Sequence, residues 1–462
     1  MNSKKYINEK IKLTTLTPIF IGCDQANDFS PITDFVVEQD KLHIIDQRKF
    51  ENLLSKDTDL VDEYVKRVKQ GNFNLISFIE NKLNSTIEEL TKKTISIQNY
   101  SGQGEIKAFV TSSGNTFIPG STIKGAMRTA IFYKWLISNS KGKSIVINIL
   151  NIYNRISNAD EIIKKKSEKR IDKYWLKNND ASEREFKKIY NELYLFKNNN
   201  TGNDFRHLQI SDSKFIVDEN TEVIQLTREY LTQDKTKTAP WQQILKRNVE
   251  TEFNLKLENN FNDDFLKSLN SGNYKELFKM INKFTLDFLE FELERFDEFI
   301  ENGKYDKDKL QETLNGTIDF YKGLKEKVKF VNDICAVIRI GGGKTYFDNS
   351  IGLALYNKDP QKFKQFRKLF GFWKHRSGNK GFVEEDSPIT RTFYYDRYSN
   401  QYLPIGWTVI YFEKDRKDIE KLFGTNEEKI KSQIHNNTNV DAGELDLSKL
   451  SNLGRVTTKR KT

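Results

Sequence analysis

The chain has 462 residues, 37% apolar and 30% charged, with 33 Phe and 19 Tyr, which excludes an intrinsically disordered protein and provides core for two or three domains. Its 75 basic and 65 acidic residues leave a net charge of +10, an excess that permits a polyanionic partner without requiring one. Only Cys23 and Cys335 are present, which excludes a disulfide framework and an all-cysteine zinc site and suits a reducing compartment.

The opening MNSKKYINEKIKLTTL lacks the apolar run of a signal peptide, and no stretch approaches the roughly 20 apolar residues of a membrane span. The cytoplasm is the expected location. KLTTLTPIFIG (12–22) predicts a strand ending at Gly22, and DFVVEQDKLHIID (34–46) a hairpin with Phe35 and Val37 on one arm and Leu42 and Ile44 on the other. Short helical patterns follow in DQRKFENLLS and FNLISFIENKL, then a strand around 105–111.

FIPGSTIKGAMRTAIF (117–132) is the most informative stretch. Pro119 and Gly120 break the strand, Ser121 is placed to cap a helix, and Ile123, Met127, Ala130 and Ile131 form its apolar stripe. Ser121, Lys124 and Arg128 fall at i, i+3 and i+7 and share another side. A helix N-terminus attracts anions through its free N–H groups and dipole, and two bases on that side add charge suited to phosphate. The ordinary alternative is a capped core helix with two solvated bases.

Residues 141–203 are strongly charged and read as a helical insertion. RHLQISDSKFIV (206–217), EVIQLTREYL (222–231) and VETEFNLKLE (249–258) return to strand patterns. From 262 to 332 the spacing is helical, with Phe278, Ile281, Phe284, Phe288 and Leu289 in one stripe and Leu314, Tyr321, Leu324 and Val328 in a second. ICAVIRIGGGKTYFDNSIGLALY (334–356) gives a buried strand, a glycine-rich loop and a helix, and GWTVIYFE (406–413) a last core strand.

The glycine loop ends in Gly343-Lys344-Thr345, but a P-loop needs glycine where Ile338 stands, so nucleotide triphosphate binding is excluded. Glycines at 341–343 followed by Lys344 suit the close approach of a sugar–phosphate chain, with Arg339 beside them. The alternative is a tight turn with both bases in solvent. Tyr346, Phe347 and Trp241 are candidates for base stacking, although core packing is the commoner role of such residues. No HExxH, His-Asp pair or CxxC marks a metal site. Asp34, Asp212 and Asp348 read as structural caps, and no cofactor is expected.

The two motifs together, with LTPIFIG, LQISDS and PIGWTVIYF, make the chain resemble the RAMP superfamily of CRISPR-associated RNA-binding proteins. Within it the likeness is to the family formed by the fifth subunit of the type III-A Csm effector complex, over nearly the whole chain to about residue 412. The resemblance implies an α+β fold of two ferredoxin-like (RRM-related) RAMP domains with helical insertions. On that pattern one domain spans 1–258 with the insertion at about 141–203, a helical region spans 259–332, a second domain with the glycine loop spans 333–430, and 431–462 is a flexible basic tail. It also implies a non-catalytic subunit that holds crRNA near its 3′ end and supports crRNA maturation. Its partners would be the other Csm subunits, with target RNA and recruited nucleases as further candidates. Carried onto this sequence, the RNA-binding residues are Gly120, Ser121, Lys124 and Arg128 in the helix motif and Arg339, Gly341, Gly342, Gly343 and Lys344 around the loop. The rival reading is a metal-independent endoribonuclease acting on precursor crRNA, with His207 and His375 as its acid and base.

Overall fold

The computed structural model describes residues 6–23, 28–71, 73–100, 104–161, 202–232, 236–261, 265–302, 307–370 and 388–424, with a few residues between 184 and 198. Strand β1 (Tyr6–Thr15) alternates the fully buried Ile11 and Leu13 with Lys12 and Thr14 on its other face. The hairpin of β2 (Phe35–Glu38) and β3 (Lys41–Ile45) pairs Phe35 with Ile44 and Val37 with Leu42, as the alternation predicts. Helices α1 (Gln47–Leu54), α2 (Thr58–Gln70) and α3 (Leu75–Asn81) follow, and Phe50, Leu54, Phe78 and Ile79 form a small core with Val36 and Ile45. Next come β4 (Thr91–Ile97), β5 (Ile106–Lys107) and the helices α4 (Gly120–Ser138) and α5 (Ser140–Leu150).

The rest of the chain supplies β6 (Leu208–Ile210), β7 (Thr221–Tyr230), β8 (Thr236–Leu245) and β9 (Glu250–Glu258). Two long helices, α6 (Tyr274–Asn302) and α7 (Lys307–Val331), lead to β10 (Cys335–Arg339), α8 (Gly352–Lys358) and α9 (Pro360–Phe370). Then β11 (Thr390–Asp396), β12 (Gln401–Pro404), β13 (Trp407–Phe412) and α10 (Arg416–Phe423) close the described fold.

One sheet has the order β6-β9-β1-β13-β10, with every neighbouring pair antiparallel. It follows that β1 and β6 are parallel, with β9 between them and α4 in the connection. That is the split β-α-β order of a ferredoxin-like sheet. Its fourth strand is β13, more than 390 residues along the chain from β1, and β10 adds a fifth. The second sheet runs β12-β11-β7-β4-β3-β2, while β8 takes the other edge of β7 and carries β5.

This topology runs across the expected domain boundaries. Each of the two large sheets draws strands from both sides of the boundaries at 258 and 333, and the ferredoxin-like order occurs in one of these two. The physical reason lies in β1, whose backbone has two edges to pair: Leu13 meets Thr251 of β9 on one side and Ile410 of β13 on the other. A single large core follows, joining Ile11 and Leu13 to Ile123 and Met127 of α4, Phe278 and Ile281 of α6, and Val337 and Ile410. The two helical stripes expected for 262–332 are the buried faces of α6 and α7.

The insertion expected from 141 also starts too early. Ile145, Val146, Ile149 and Leu150 of α5 are buried in the main core, so the chain is still building the fold there. Most of 162–201 and the tail beyond 424 lie outside the described residues.

The β10 edge of the first sheet is closed by side chains. Asn282 of α6 donates through Nδ2 to the carbonyls of Asn332 and Cys335 at 2.7 and 2.8 Å, and its Oδ1 accepts from the Val337 N–H at 2.9 Å. Thr285 donates to the Val337 carbonyl at 2.6 Å. A helix thus satisfies ladder groups that an unpaired edge would leave open.

Candidate functional site

The motif at 117–132 forms the start of α4, with Pro119 as its N-cap and no hydroxyl cap. Ser121 is exposed and does not make the capping bond expected of it. Asp212 does so instead, accepting the Gly120 N–H at 2.7 Å. Part of the anion attraction of this helix end is therefore already met by a carboxylate of the chain. Gly120 is buried against the segment after β6, where a Cβ would lie 2.5 Å from the Ile210 carbonyl oxygen and 2.6 Å from that of Ser211. This glycine serves a close contact within the protein.

The charges one turn later are different. Ile123, Met127, Ala130 and Ile131 are buried, which turns Lys124 and Arg128 to the outside, half-buried and exposed respectively. Among the described residues Lys124 makes no hydrogen bond or ion pair, and Arg128 meets only the face of Phe205, 5.4 Å from its centroid. Burial, with the neighbouring Arg128 charge, pushes the Lys124 ammonium below its ordinary pKa. Like charges at i and i+4 repel one another, and an anion bound between them relieves that repulsion. Gly125, on the same turn, is exposed, and a Cβ there would meet nothing within 4 Å.

The glycine loop follows β10 as expected. Its first glycine has a φ of 74°, and a Cβ there would fall 2.2 Å from the Phe20 carbonyl oxygen. The Gly342 N–H donates to that same oxygen at 2.7 Å. Gly406 is wedged alongside, donating to Pro18 and accepting from Ile340. Three stretches of backbone interlock at this point, which accounts for the glycines by chain packing.

Arg339 turns inward. It is 6% exposed, and its guanidinium donates to Asp348 Oδ2 at 2.9 Å, to the Ile405 carbonyl at 2.9 Å and to the Gly343 carbonyl at 3.0 Å. Asp348 also accepts the Thr345 N–H at 2.6 Å. The pair clamps the loop from inside, with three of the five guanidinium N–H donors bonded within the protein. Lys344 stays half-buried, its pKa lowered by burial, and makes no hydrogen bond or ion pair among the described residues. The structure links the two motifs indirectly: Tyr133, in the far half of α4, accepts from Asn357 of α8 at 3.2 Å and donates to Asp287 of α6 at 2.6 Å.

The remaining sequence candidates turn inward. Trp241 and Phe347 are buried and Tyr346 is packed on Phe347, so core packing is their role. Asp34, Asp212 and Asp348 all accept backbone N–H groups, as structural caps should. His207 is buried; Arg206 Nε donates to its Nε2 at 3.2 Å, which leaves the proton on Nδ1, facing Glu258 Oε2 at 3.0 Å. Both ring nitrogens are occupied inside the protein. His375 lies outside the described residues. The described residues hold no group of three or more His, Cys, Asp or Glu placed for a metal ion, and no helix among them is long and apolar enough to cross a membrane.

Fold and site together define a mixed α/β protein, built around a ferredoxin-like sheet, with two bases on the helix after its first strand that have no carboxylate partner among the described residues. The chain belongs to the RAMP superfamily, whose family model matches residues 12–347. It is 24% identical over 439 residues to the CRISPR system protein Csm5 of Methanocaldococcus jannaschii, covering 87% of this chain and 88% of that protein. A chain in the cryo-EM structure of a Csm–crRNA–target RNA ternary complex from a type III-A CRISPR-Cas system matches with a TM-score of 0.55 at 19% identity, over 87% of this chain and 100% of that one. The crystal structure of Csm5 from T. onnurineus matches with a TM-score of 0.51 at 17% identity, over 86% and 99%.

Proposed function

We propose that this chain is a non-catalytic, RNA-holding subunit of a type III-A CRISPR Csm effector complex, seated near the 3′ end of the crRNA and supporting its maturation. Lys124 and Arg128 carry the reading: two neighbouring bases on one exposed helix side, with no carboxylate to neutralise either among the described residues. A phosphodiester backbone supplies the missing charge, and the exposed backbone at Gly125 lets it come close. Lys344 is a second, half-buried cation beside the glycine loop that serves the same chain of phosphates. The likeness to Csm5 and to a chain of an RNA-bound Csm complex supports both the type of assembly and the kind of ligand. The occupied ring of His207 speaks against the ribonuclease alternative, which needs a free acid and base.

Replacing Lys124 and Arg128 with Ala tests the assignment. The expected result is loss of crRNA from the purified complex, an unchanged melting temperature, and a slope of log affinity against log salt shallower by about 2. Undiminished crRNA retention would sink the proposal. Metal-free cleavage of labelled precursor crRNA, abolished by His207→Ala, would favour the ribonuclease.

A further inference from the structure

We infer that Phe215, backed by Phe117, is a stacking platform for one unpaired nucleobase of the RNA whose phosphates Lys124 and Arg128 hold; this rests on the proposed function above. Phe215 is 61% exposed and Val217, two residues on, is 62% exposed, the most exposed apolar side chains among the described residues after Tyr398. Their position follows from the ladder that feeds α4. Ile118 donates to Ser213 Oγ at 2.9 Å and accepts from the Ser213 N–H at 3.0 Å, while Ile216 donates to the Thr116 carbonyl at 2.8 Å. Thr116 and Ile118 are buried on either side of the half-buried Phe117, and Ser213 and Ile216 are buried on either side of the exposed Lys214 and Phe215, which leaves Phe117 and Phe215 on the outer side together. The two rings meet edge to face, 6.5 Å apart at 87°. Phe117 therefore braces the Phe215 ring while much of that ring stays in water.

Charge decides the kind of occupant. Phe117 lies three extended residues before α4, and Lys124 four helical residues into it, so their Cα atoms are at most about 16 Å apart, a few nucleotides of chain. The nearby acids are already engaged: Asp212 caps α4, and Asp218 pairs with Lys93 at 2.5 Å. Lys214 is held by Glu252 at 2.6 Å. Within that reach, Lys124 and Arg128 have no carboxylate partner among the described residues. A ligand with an anionic backbone and flat apolar faces matches both features at once, and single-stranded RNA has both.

The test compares a fluorescein-labelled single-stranded oligouridine of about 12 nucleotides with an abasic RNA of the same length, by anisotropy on the full-length protein. Phe215→Ala is expected to weaken binding of the oligouridine about 5- to 50-fold and to leave the abasic RNA unaffected. Phe215→Trp is expected to retain binding, and Lys124→Ala/Arg128→Ala to weaken both RNAs. Equal affinity of wild type and Phe215→Ala for the oligouridine, with the double variant still weakened, overturns the platform while leaving RNA holding intact. If wild type binds neither RNA, both readings fall. If Phe215→Ala keeps its RNA affinity but no longer co-purifies with the other Csm subunits, the patch is a protein interface and the platform is wrong.

Discussion

Gly120 and Gly125 stand five residues apart in α4 and meet opposite surroundings. A methyl group at Gly120 would collide with two backbone carbonyls that cannot move aside, whereas at Gly125 it would enter open space. Gly120→Ala should therefore destabilise the protein by about 1–3 kcal/mol, through overpacking at the junction with β6. Gly125→Ala should raise stability by about 0.5–1 kcal/mol, because alanine gives up less backbone entropy in a helix. Urea midpoints of the two variants check both signs. The sequence displays these residues as one motif, and neither their spacing nor their type tells them apart. Arg339 shows the same limit. An arginine next to three glycines suggests a phosphate contact, and only the fold reveals that it is buried, with Asp348 and two carbonyls taking three of its five donors. Lys124 and Arg128 were legible because the apolar stripe of their helix fixes which side faces out.

At the scale of elements, the strands with clean alternation were legible: the β2–β3 hairpin, β9 and β13, whereas the strand expected over 12–22 lies at Tyr6–Thr15 and shares only residues 12–15 with it. Strand β8 was not legible, because Pro240 interrupts its pattern; it sits where the pairing with β7 shifts register between Gln225 and Thr227, a place where proline is tolerated. Helix α2 buries none of its side chains and so carries little signal. The α5 apolar residues were hidden by the charged sequence after them. The polar face of the first sheet makes a testable prediction of its own. Glu252 on β9 accepts from Lys214 at 2.6 Å and pairs with Lys12 at 3.1 Å and Lys10 at 3.4 Å, which holds its pKa down at about 2 against an ordinary 4.5. A depressed carboxylate contributes stability in full above the unfolded value and loses it as pH falls through the folded one. The melting temperature should therefore drop between pH 4.5 and about 2, and Glu252→Gln should flatten that part of the curve. An unchanged profile would mean that these lysines do not act on Glu252.

For the whole molecule, strand partners outrank sequence neighbourhood. The apolar faces of β1 and α4 are completed by α6 and β13, and no local pattern encodes a register between strands so far apart along the chain. The composition and the resemblance pointed correctly to a mixed α/β RAMP protein, while the division at residue 258 followed the order of motifs and falls between strands that share a sheet. A fragment of residues 1–258 should accordingly lack a cooperative thermal transition, since Ile11 and Leu13 lose the helix and strand that cover them. A sharp calorimetric melt of that fragment would restore the two-domain division.

The adjacency of β1 and β13 also has a consequence for how the protein is made. Thr15 pairs with Thr408, so the ferredoxin-like sheet stays open on one side until the ribosome has added nearly four hundred further residues. At elongation rates of about 5–20 residues per second, that interval is roughly 20–80 s. Throughout it the inner face of β1 and the stripe of α4 lack their final cover, a period in which a holding chaperone has most to protect. Mutations that weaken β13 would then be expressed first as poor yield from the cell, before any change in affinity for a ligand could be measured.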